Sequence, residues 1–311
     1  MIPIAIIGAG MSGLACARHL AQAGHAPVIF DKGRGIGGRL ATRRADGLQF
    51  DHGAQFVNAH TPGFAALLDQ LTVAGAAAPW ADGTGRTHTV GTPGMAALAK
   101  AMAPGLTIHQ NAQVTSLTHS DDGWHLRIGD TDHHAARVVL TAPAPQVASL
   151  LGPDHPLAQA VSAVRLAPCL TLMAAIRAPA PFITRNEPED DLAWIAQDNS
   201  KPGRPVGDAT LWVAQASPDF STQHLEKDPA AIAALMLPLL CDRIGANLSA
   251  VTHAAAHRWR YARVTAPLGQ PFLATPEATL YLGGDWCLGP RVEAAWTSGT
   301  AIAQDMLARV P

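Results

Sequence analysis

Cysteine is scarce in this chain of 311 residues, and so are charge and tyrosine. The four thiols, Cys16, Cys169, Cys241 and Cys287, stand far apart with no CxxC pair. That excludes a disulfide framework and the common zinc motifs, and a reducing compartment, the cytoplasm, is expected. Charged residues make up 15% of the chain and the net charge is -2. Lys and Arg are dispersed, so neither nucleic acid nor an anionic membrane surface is an expected partner. No apolar run approaches the roughly 18 residues that suggest a membrane-spanning helix. The opening "MIPIAIIGAG" has no basic n-region and reads as a strand entering a glycine turn, not as a signal peptide. Fourteen histidines are present without an HExxH pair, and no metal centre is expected. Only Tyr261 and Tyr281 carry a phenol.

What is present is apolar and organised. Hydrophobic residues make up 48% of the chain, enough for a sizeable core and an expected two domains. Ile2 to Ile7 reads as a buried parallel strand. "GAGMSGLACARHLAQAG" turns into a helix with helically spaced apolar positions, and "APVIFDKG" is a second strand closed by Asp31. These form a βαβ unit of about 30 residues. Within it Gly8, Gly10 and Gly13 make a GxGxxG pattern. The first permits the tight turn, the second leaves room for a pyrophosphate, and the third lets helix and strand approach. The helix N-terminus offers free N–H groups to phosphate. Asp31, 18 residues past Gly13, is placed to accept hydrogen bonds from a ribose, and it disfavours a 2′-phosphate there. Dinucleotide binding follows, with FAD and NAD still unseparated at this point.

Further on, Pro93 to Met102 reads as a short helix, and "LTIHQNAQVTSLTHSDDGWHLRIG" and "AARVVLTAPAP" read as strands. Residues 160–255 mix strands ("CLTLMAAI", "ATLWVAQA") with a helix near Pro229 to Ile244. "ATLYLGGD" and "RVEAAWTSGTAIAQDMLARV" then restore a strand and a helix of the first kind. A second ligand-grade loop, "GGDWCLGPRVEAAWTSG", therefore lies far from the first.

The run "GAGMSGLACARHLAQAGHAPVIFDKGRGIGGR" resembles the extended N-terminal motif of the flavin-containing amine oxidase superfamily of FAD-dependent oxidoreductases, and the late loop resembles its closing motif. The stretches "GGRLATRR", "FDHGAQF", "VGTPGMAALAKAM", "WIAQDNSKPGR", "AHRWRYAR" and "GDWCLGPRVEAAW" are similar to the bacterial renalase-like members. Ala294 departs from the glycine usual at that point of the closing motif. The resemblance implies non-covalent FAD whose ADP half lies on the first loop and whose flavin half meets the second. Cofactor contacts are then expected at Gly8, Gly10, Met11, Ser12 and Gly13, and at Asp31, Lys32, Gly38 and Arg39. Ala54, Gln55 and Val114, then Asp285, Arg291 and Val292, complete the set. Arg39 is expected to pair with the pyrophosphate, and the helix opening at Val292 to point at the flavin pyrimidine edge.

The fold implied is α/β, of amine oxidase/p-hydroxybenzoate hydroxylase-like architecture. A discontinuous Rossmann-type FAD domain (1–56, 90–150 and 255–311) would carry an inserted α+β, mixed-sheet substrate domain (57–89 and 151–254). The activity implied is oxidation of 2- or 6-dihydro isomers of NAD(P)H, with hydride transfer to flavin N5 giving NAD(P)+ and reoxidation by O2 giving hydrogen peroxide. An amine oxidase of the same superfamily, and a non-catalytic flavin- or NAD-binding sensor, are the alternatives. The shortage of tyrosine speaks against an amine oxidase's aromatic cage.

No acid–base residue is expected, and Gln55 and Tyr261 are assigned to flavin or substrate positioning. Gln55 has a competing reading as a loop amide bonded to its own backbone. Strand alternation sets His257, Trp259 and Tyr261 on one face, as site wall or as core. His52 is a candidate base but a better structural histidine. Cys287 reads as a small buried hydrophobe, Lys201 and Asn199 as loop residues or phosphate contacts, and Trp194 and Trp212 as core or pocket lining.

Overall fold

The computed structural model describes residues 1–309. Its largest sheet has eight strands. Five run parallel in the order Leu280–Leu282, Thr131–Leu140, Ile2–Ile7, Val28–Phe30 and Thr107–His109. Leu273–Ala274 adds an antiparallel edge, and a meander of Val114–Ser120 and Gly123–Ile128 hangs antiparallel from Thr131–Leu140. The first strand is apolar because both faces are covered. Ile4 and Ile6 enter a core shared with the first helix (Met11–Gln22) and the closing helix (Val292–Ala308). Ala5 and Ile7 enter another with Leu117, Trp124 and Leu126 of the meander.

Two glycines set how closely these parts pack. A β-carbon at Gly13 would lie 1.9 Å from the Gly8 carbonyl oxygen, and one at Gly299 would lie 2.0 Å from that of Ser12. Gly13 therefore lets the first helix start directly behind the glycine turn. Gly299 lets the closing helix touch the first.

A second, five-stranded antiparallel sheet has the order Thr184–Asn186, Trp194–Gln197, Thr210–Gln215, Arg165–Ile176 and Val251–Ala266. Its strands alternate between two surroundings. Leu170, Leu172, Ala174 and Ile176 pack under the helix Pro229–Ile244 through Ile232, Met236 and Leu240. Met173 and Ala175, with Leu211 and Val213, pack instead on Phe50 of the hairpin Thr42–Ala45/Leu48–Asp51. That hairpin thus carries the chain from the first sheet onto the inner face of the second.

Several elements differ in extent from the sequence reading. The strand Val251–Ala266 straddles the expected boundary at 254/255, because it pairs with Arg165–Ile176 along its whole length. Within 57–89, the helix Pro62–Val73 packs with the nucleotide-side core, Phe64 lying 5.6 Å from Trp296 of the closing helix. The helix expected from Pro93 begins at Ala96. Pro229–Ile244 matches its expected span.

Candidate functional site

A cleft of about 1770 Å³ lies between the two sheets. It exceeds the roughly 300–1,000 Å³ of an ordinary small-molecule pocket, as a site for an extended dinucleotide plus a second ligand must. Gly8, Gly10, Met11, Ser12, Asp31, Lys32, Gly38 and Arg39 line one end. Ala54, Gln55, Val114, Tyr261, Asp285, Arg291 and Val292 line it further along. Gly13 does not line it and acts from behind, through the close packing of helix on turn.

At the glycine turn, nothing lies within 4 Å of where a Gly10 β-carbon would stand, so the cleft floor there is bare backbone. Gly10 caps the first helix without a side-chain hydrogen bond, and the Ser12 hydroxyl is buried with no partner among the described residues. Asp31 accepts from the amides of Ala9 at 2.6 Å and Gly33 at 2.7 Å, which fixes its carboxylate at the strand end. Arg39, on the cleft lining, is also bonded within the chain. Its guanidinium donates to Asp285 at 2.6 Å and to the Ala262 carbonyl at 2.9 Å. It joins both ligand loops to the second sheet, and it offsets a carboxylate that would otherwise repel phosphate.

The closing helix enters the cleft with Arg291 at its N-cap, and no side chain caps it. Glu293, in its first turn, is buried and was not singled out in the sequence. It accepts from the amides of His60 and Thr61 and from the Thr61 hydroxyl. Burial works to raise its pKa, but these donors outweigh it and hold the carboxyl below the usual glutamate range. Thr61 in turn caps the helix Pro62–Val73. The closing helix is therefore anchored at the end that faces the cleft.

The loop His52–Gln55 is held from three sides. The Ala54 amide bonds the Arg39 carbonyl, Gln215 donates to the Gly53 carbonyl, and Trp259 donates to the His52 carbonyl. Gln55 lines the cleft while its amide bonds the Asp51 and Gly53 carbonyls, so the backbone-bound reading and the cleft-lining one coincide. Its side-chain oxygen accepts from Lys201 at 3.2 Å. Lys201 is therefore neither a solvated loop lysine nor placed on phosphate. It is 2% exposed and bonded to Asp198 at 2.6 Å. Asp51, which pairs with Arg204 and bonds Thr42 and Met95, completes a buried set of two acids and two bases. In Asp51, burial is outweighed by Lys201 and Arg204, and the pKa falls. In Asp198 burial prevails and the pKa rises. Asn199 is structural, spanning Ala209 and Leu211.

The wall from the second sheet is aromatic. Trp194, His257, Trp259 and Tyr261 line the cleft, whereas Trp212 is fully buried core. His52 stacks on Trp259 at 5.3 Å and meets His257 edge-on at 4.8 Å. Burial, then His257 and Arg43, push its pKa down to about 4. His257 is also lowered, by burial and by Arg43 and Arg258. Both imidazoles are neutral at pH 7. Tyr281 is buried and bonded to Asp305, leaving Tyr261 as the phenol at the cleft. Burial pushes the Cys287 thiol up to about 12, consistent with a packing role.

Comparison with known proteins fits this geometry. The NAD(P)-binding Rossmann-like domain model matches residues 6–71, and the flavin containing amine oxidoreductase model matches residues 80–307. The chain belongs to the flavin containing amine oxidoreductase family. Its similarity to curated relatives is local: 4,4'-diapophytoene desaturases of Staphylococcus haemolyticus and Staphylococcus aureus are 46% identical over 54 residues. That stretch is 17% of this chain, which spans only 11% of those relatives' length. Solved structures share the fold over nearly the whole chain. A protein named as a protoporphyrinogen oxidase from Exiguobacterium sp. 255-15 has a TM-score of 0.76 at 13% identity, with 98% of each chain covered. A putrescine oxidase has a TM-score of 0.75 at 16% identity, with 99% of each covered.

The cofactor of this flavin amine oxidoreductase is FAD. The residues present fit it. A bare-backbone floor at Gly10, an unpartnered buried hydroxyl at Ser12 and two uncapped helix N-termini suit an extended diphosphate-linked ligand. No helix among the described residues is long and apolar enough to cross a membrane.

Proposed function

We propose that this protein is a cytoplasmic FAD-dependent oxidase of isomeric dihydronicotinamide dinucleotides, the 2- and/or 6-dihydro forms of NAD(P)H. Its products are NAD(P)+ and, from O2, hydrogen peroxide. The observation that carries the reading is the chemistry of the second sheet's wall. Trp194, Gln215, His257, Trp259 and Tyr261 line it without a carboxylate, the charged groups beside them are Arg258, Arg260 and Arg263, which do not accept protons, and the Cys169 thiol is pushed by burial up to about 11. A dihydropyridine becomes aromatic by giving up a hydride alone, so its oxidation needs positioning and no proton acceptor. When bound, FAD supplies the two-electron acceptor and passes the electrons on to O2.

In this reading the chain's own residues hold and orient. The first glycine turn, Ser12 and Asp31 would take the ADP half, and Asp285 and the closing helix the linker and flavin half. Gln55, fixed by Lys201, and Tyr261 would set the nicotinamide ring against the reactive face. Arg263 and Arg291 line the cleft, are exposed, and have no acid partner among the described residues. They suit phosphates, which a dinucleotide carries and a small amine does not.

A second reading, oxidation of a small amine, is favoured by Glu189, Asp191 and Asp219, exposed carboxylates on the cleft lining that would draw a cation. Anaerobic mixing of the FAD-loaded protein with the dihydronicotinamide isomers, and in parallel with simple amines, separates the two. Rapid bleaching of the flavin absorption by the isomers, with recovery in air, is expected. A flavin left oxidised by the isomers but bleached by an amine would replace the first reading with the second.

A further inference from the structure

The meander on the nucleotide sheet carries a group of side chains that the cleft does not use. Asp122 lies in the turn between Val114–Ser120 and Gly123–Ile128, His125 on the second of those strands, and His134 on Thr131–Leu140. His125 and His134 are direct partners in the antiparallel pairing, so both side chains leave the same face. Asp122 reaches them from the turn. Its Oδ1 lies 2.9 Å from His125 Nε2 and its Oδ2 3.4 Å from His134 Nδ1. The two imidazoles meet edge to face, with centroids 4.2 Å apart. One ligand atom from each of the three residues lies within 4.8 Å of the others.

We propose that Asp122, His125 and His134 form a binding site for a late first-row divalent metal of the zinc class. The bound ion takes His125 Nε2, His134 Nδ1 and a carboxylate oxygen, with water completing its shell. A tetrahedral zinc with bonds of ~2.0–2.1 Å spaces its ligand atoms about 3.3 Å apart. The present distances bracket that value, and rotation of the exposed Asp122 and His134 side chains closes the rest. Ser120 Oγ lies 2.6 Å from His125 Nε2 and also bonds the Asp122 carboxylate, so it holds these two groups together in the absence of the ion and would give up its contact with Nε2 when the ion binds there. Two imidazoles and a single carboxylate favour zinc, nickel or copper over magnesium or calcium, which prefer all-oxygen shells.

Such an ion would tie a turn and two strands together. The first strand of the meander opens with Val114 at the cleft, and the third runs into Thr141 and Ala142, also at the cleft. The site is distant in function from the redox chemistry but lies on the same sheet.

The test uses untagged, FAD-loaded protein stripped with a chelator and titrated with zinc chloride by calorimetry. One equivalent is expected to bind, and magnesium chloride in its place is expected to give no heat. Asp122→Ala and His134→Gln, both at exposed positions, are expected to weaken zinc binding by no less than the ~10–100-fold that loss of an outer partner costs. His119→Gln, an exposed histidine on the same meander outside the group, is expected to leave it unchanged. Retention of the flavin spectrum verifies that each variant is folded. Equal zinc binding by wild type and both ligand variants, weakening in only one of them, or no binding by wild type would each overturn the three-ligand site.

Discussion

His52 illustrates how one side chain's surroundings set its chemistry. Packed between Trp259 and His257 with its Nδ1 unpartnered among the described residues, it is held neutral, its pKa brought by burial from the ordinary 6.5 to about 4. In the unfolded chain it takes a proton near pH 6.5, and in the folded protein only near 4. Between those values the unfolded state binds more protons, so its contribution is intact above pH 6.5 and is lost as pH falls towards 4. The lowered His257 acts in the same direction. A difference of that size amounts to about 3 kcal/mol. Urea unfolding at a series of pH values should therefore show a steep loss of stability from pH 6.5 to 4 that is flattened in His52→Asn. An unchanged acid limb in that variant would show that the loss arises elsewhere. The sequence identified His52 as structural, since a loop histidine between an aspartate and a glycine has obvious local partners. It gave no sign of the stacking, because Trp259 and His257 lie some two hundred positions away and approach only when the second sheet forms.

Elements were legible where their signal is local. The glycine turn, the first helix and the second strand follow from spacing alone, and Pro229–Ile244 from an N-terminal proline and a closing glycine. The helix Pro62–Val73 and the hairpin Ala77–Ala81/Thr87–Gly91 were not resolved as elements, since their apolar residues contact the nucleotide-side core only after the chain has turned back. The metal-binding group was hidden for a related reason. Positions 122, 125 and 134 match no zinc motif, and only strand pairing makes neighbours of the last two. Helix contact depends on another residue with a weak sequence signature, Gly299. Its absent side chain lets the closing helix lie on Ser12, and a β-carbon there would meet backbone that cannot turn aside. Gly299→Ala is expected to cost about 1–3 kcal/mol as overpacking. Thermal unfolding should show a lower midpoint together with weaker FAD retention, because the same contact aligns both ligand-facing helix ends. An alanine variant as stable as the wild type would mean that the helices separate without penalty.

At the scale of the whole molecule, two polar assemblies hold the sheets in register across the cleft. Asp51, Asp198, Lys201 and Arg204 join the hairpin to the second sheet from within, with no side chain exposed. Arg39 does so at the cleft, reaching Asp285 on the late loop and Ala262 on the long strand from the segment that follows the first βαβ unit. The sequence placed Arg39 and Asp285 separately against the cofactor, and it had no means of showing that they meet, 246 positions apart. Their pairing is expected to couple cofactor binding to the geometry between the sheets. Arg39→Met removes both hydrogen bonds and leaves Asp285, only 8% exposed, unpaired on the cleft lining. A hydrogen bond to a charged group contributes about 1.5–3 kcal/mol, so FAD affinity, read by flavin fluorescence, is expected to fall roughly 10–100-fold. Arg39→Lys should recover only part of it, since one ammonium lacks the planar fork that spans a carboxylate and a carbonyl. Arg39→Met combined with Asp285→Asn should bind FAD better than Arg39→Met alone, because it removes the stranded charge. If Arg39→Met holds FAD as tightly as the wild type, the two loops are positioned without the pair. If the double variant is no better than the single one, the guanidinium acts on the cofactor directly, and the neutralisation of Asp285 is incidental.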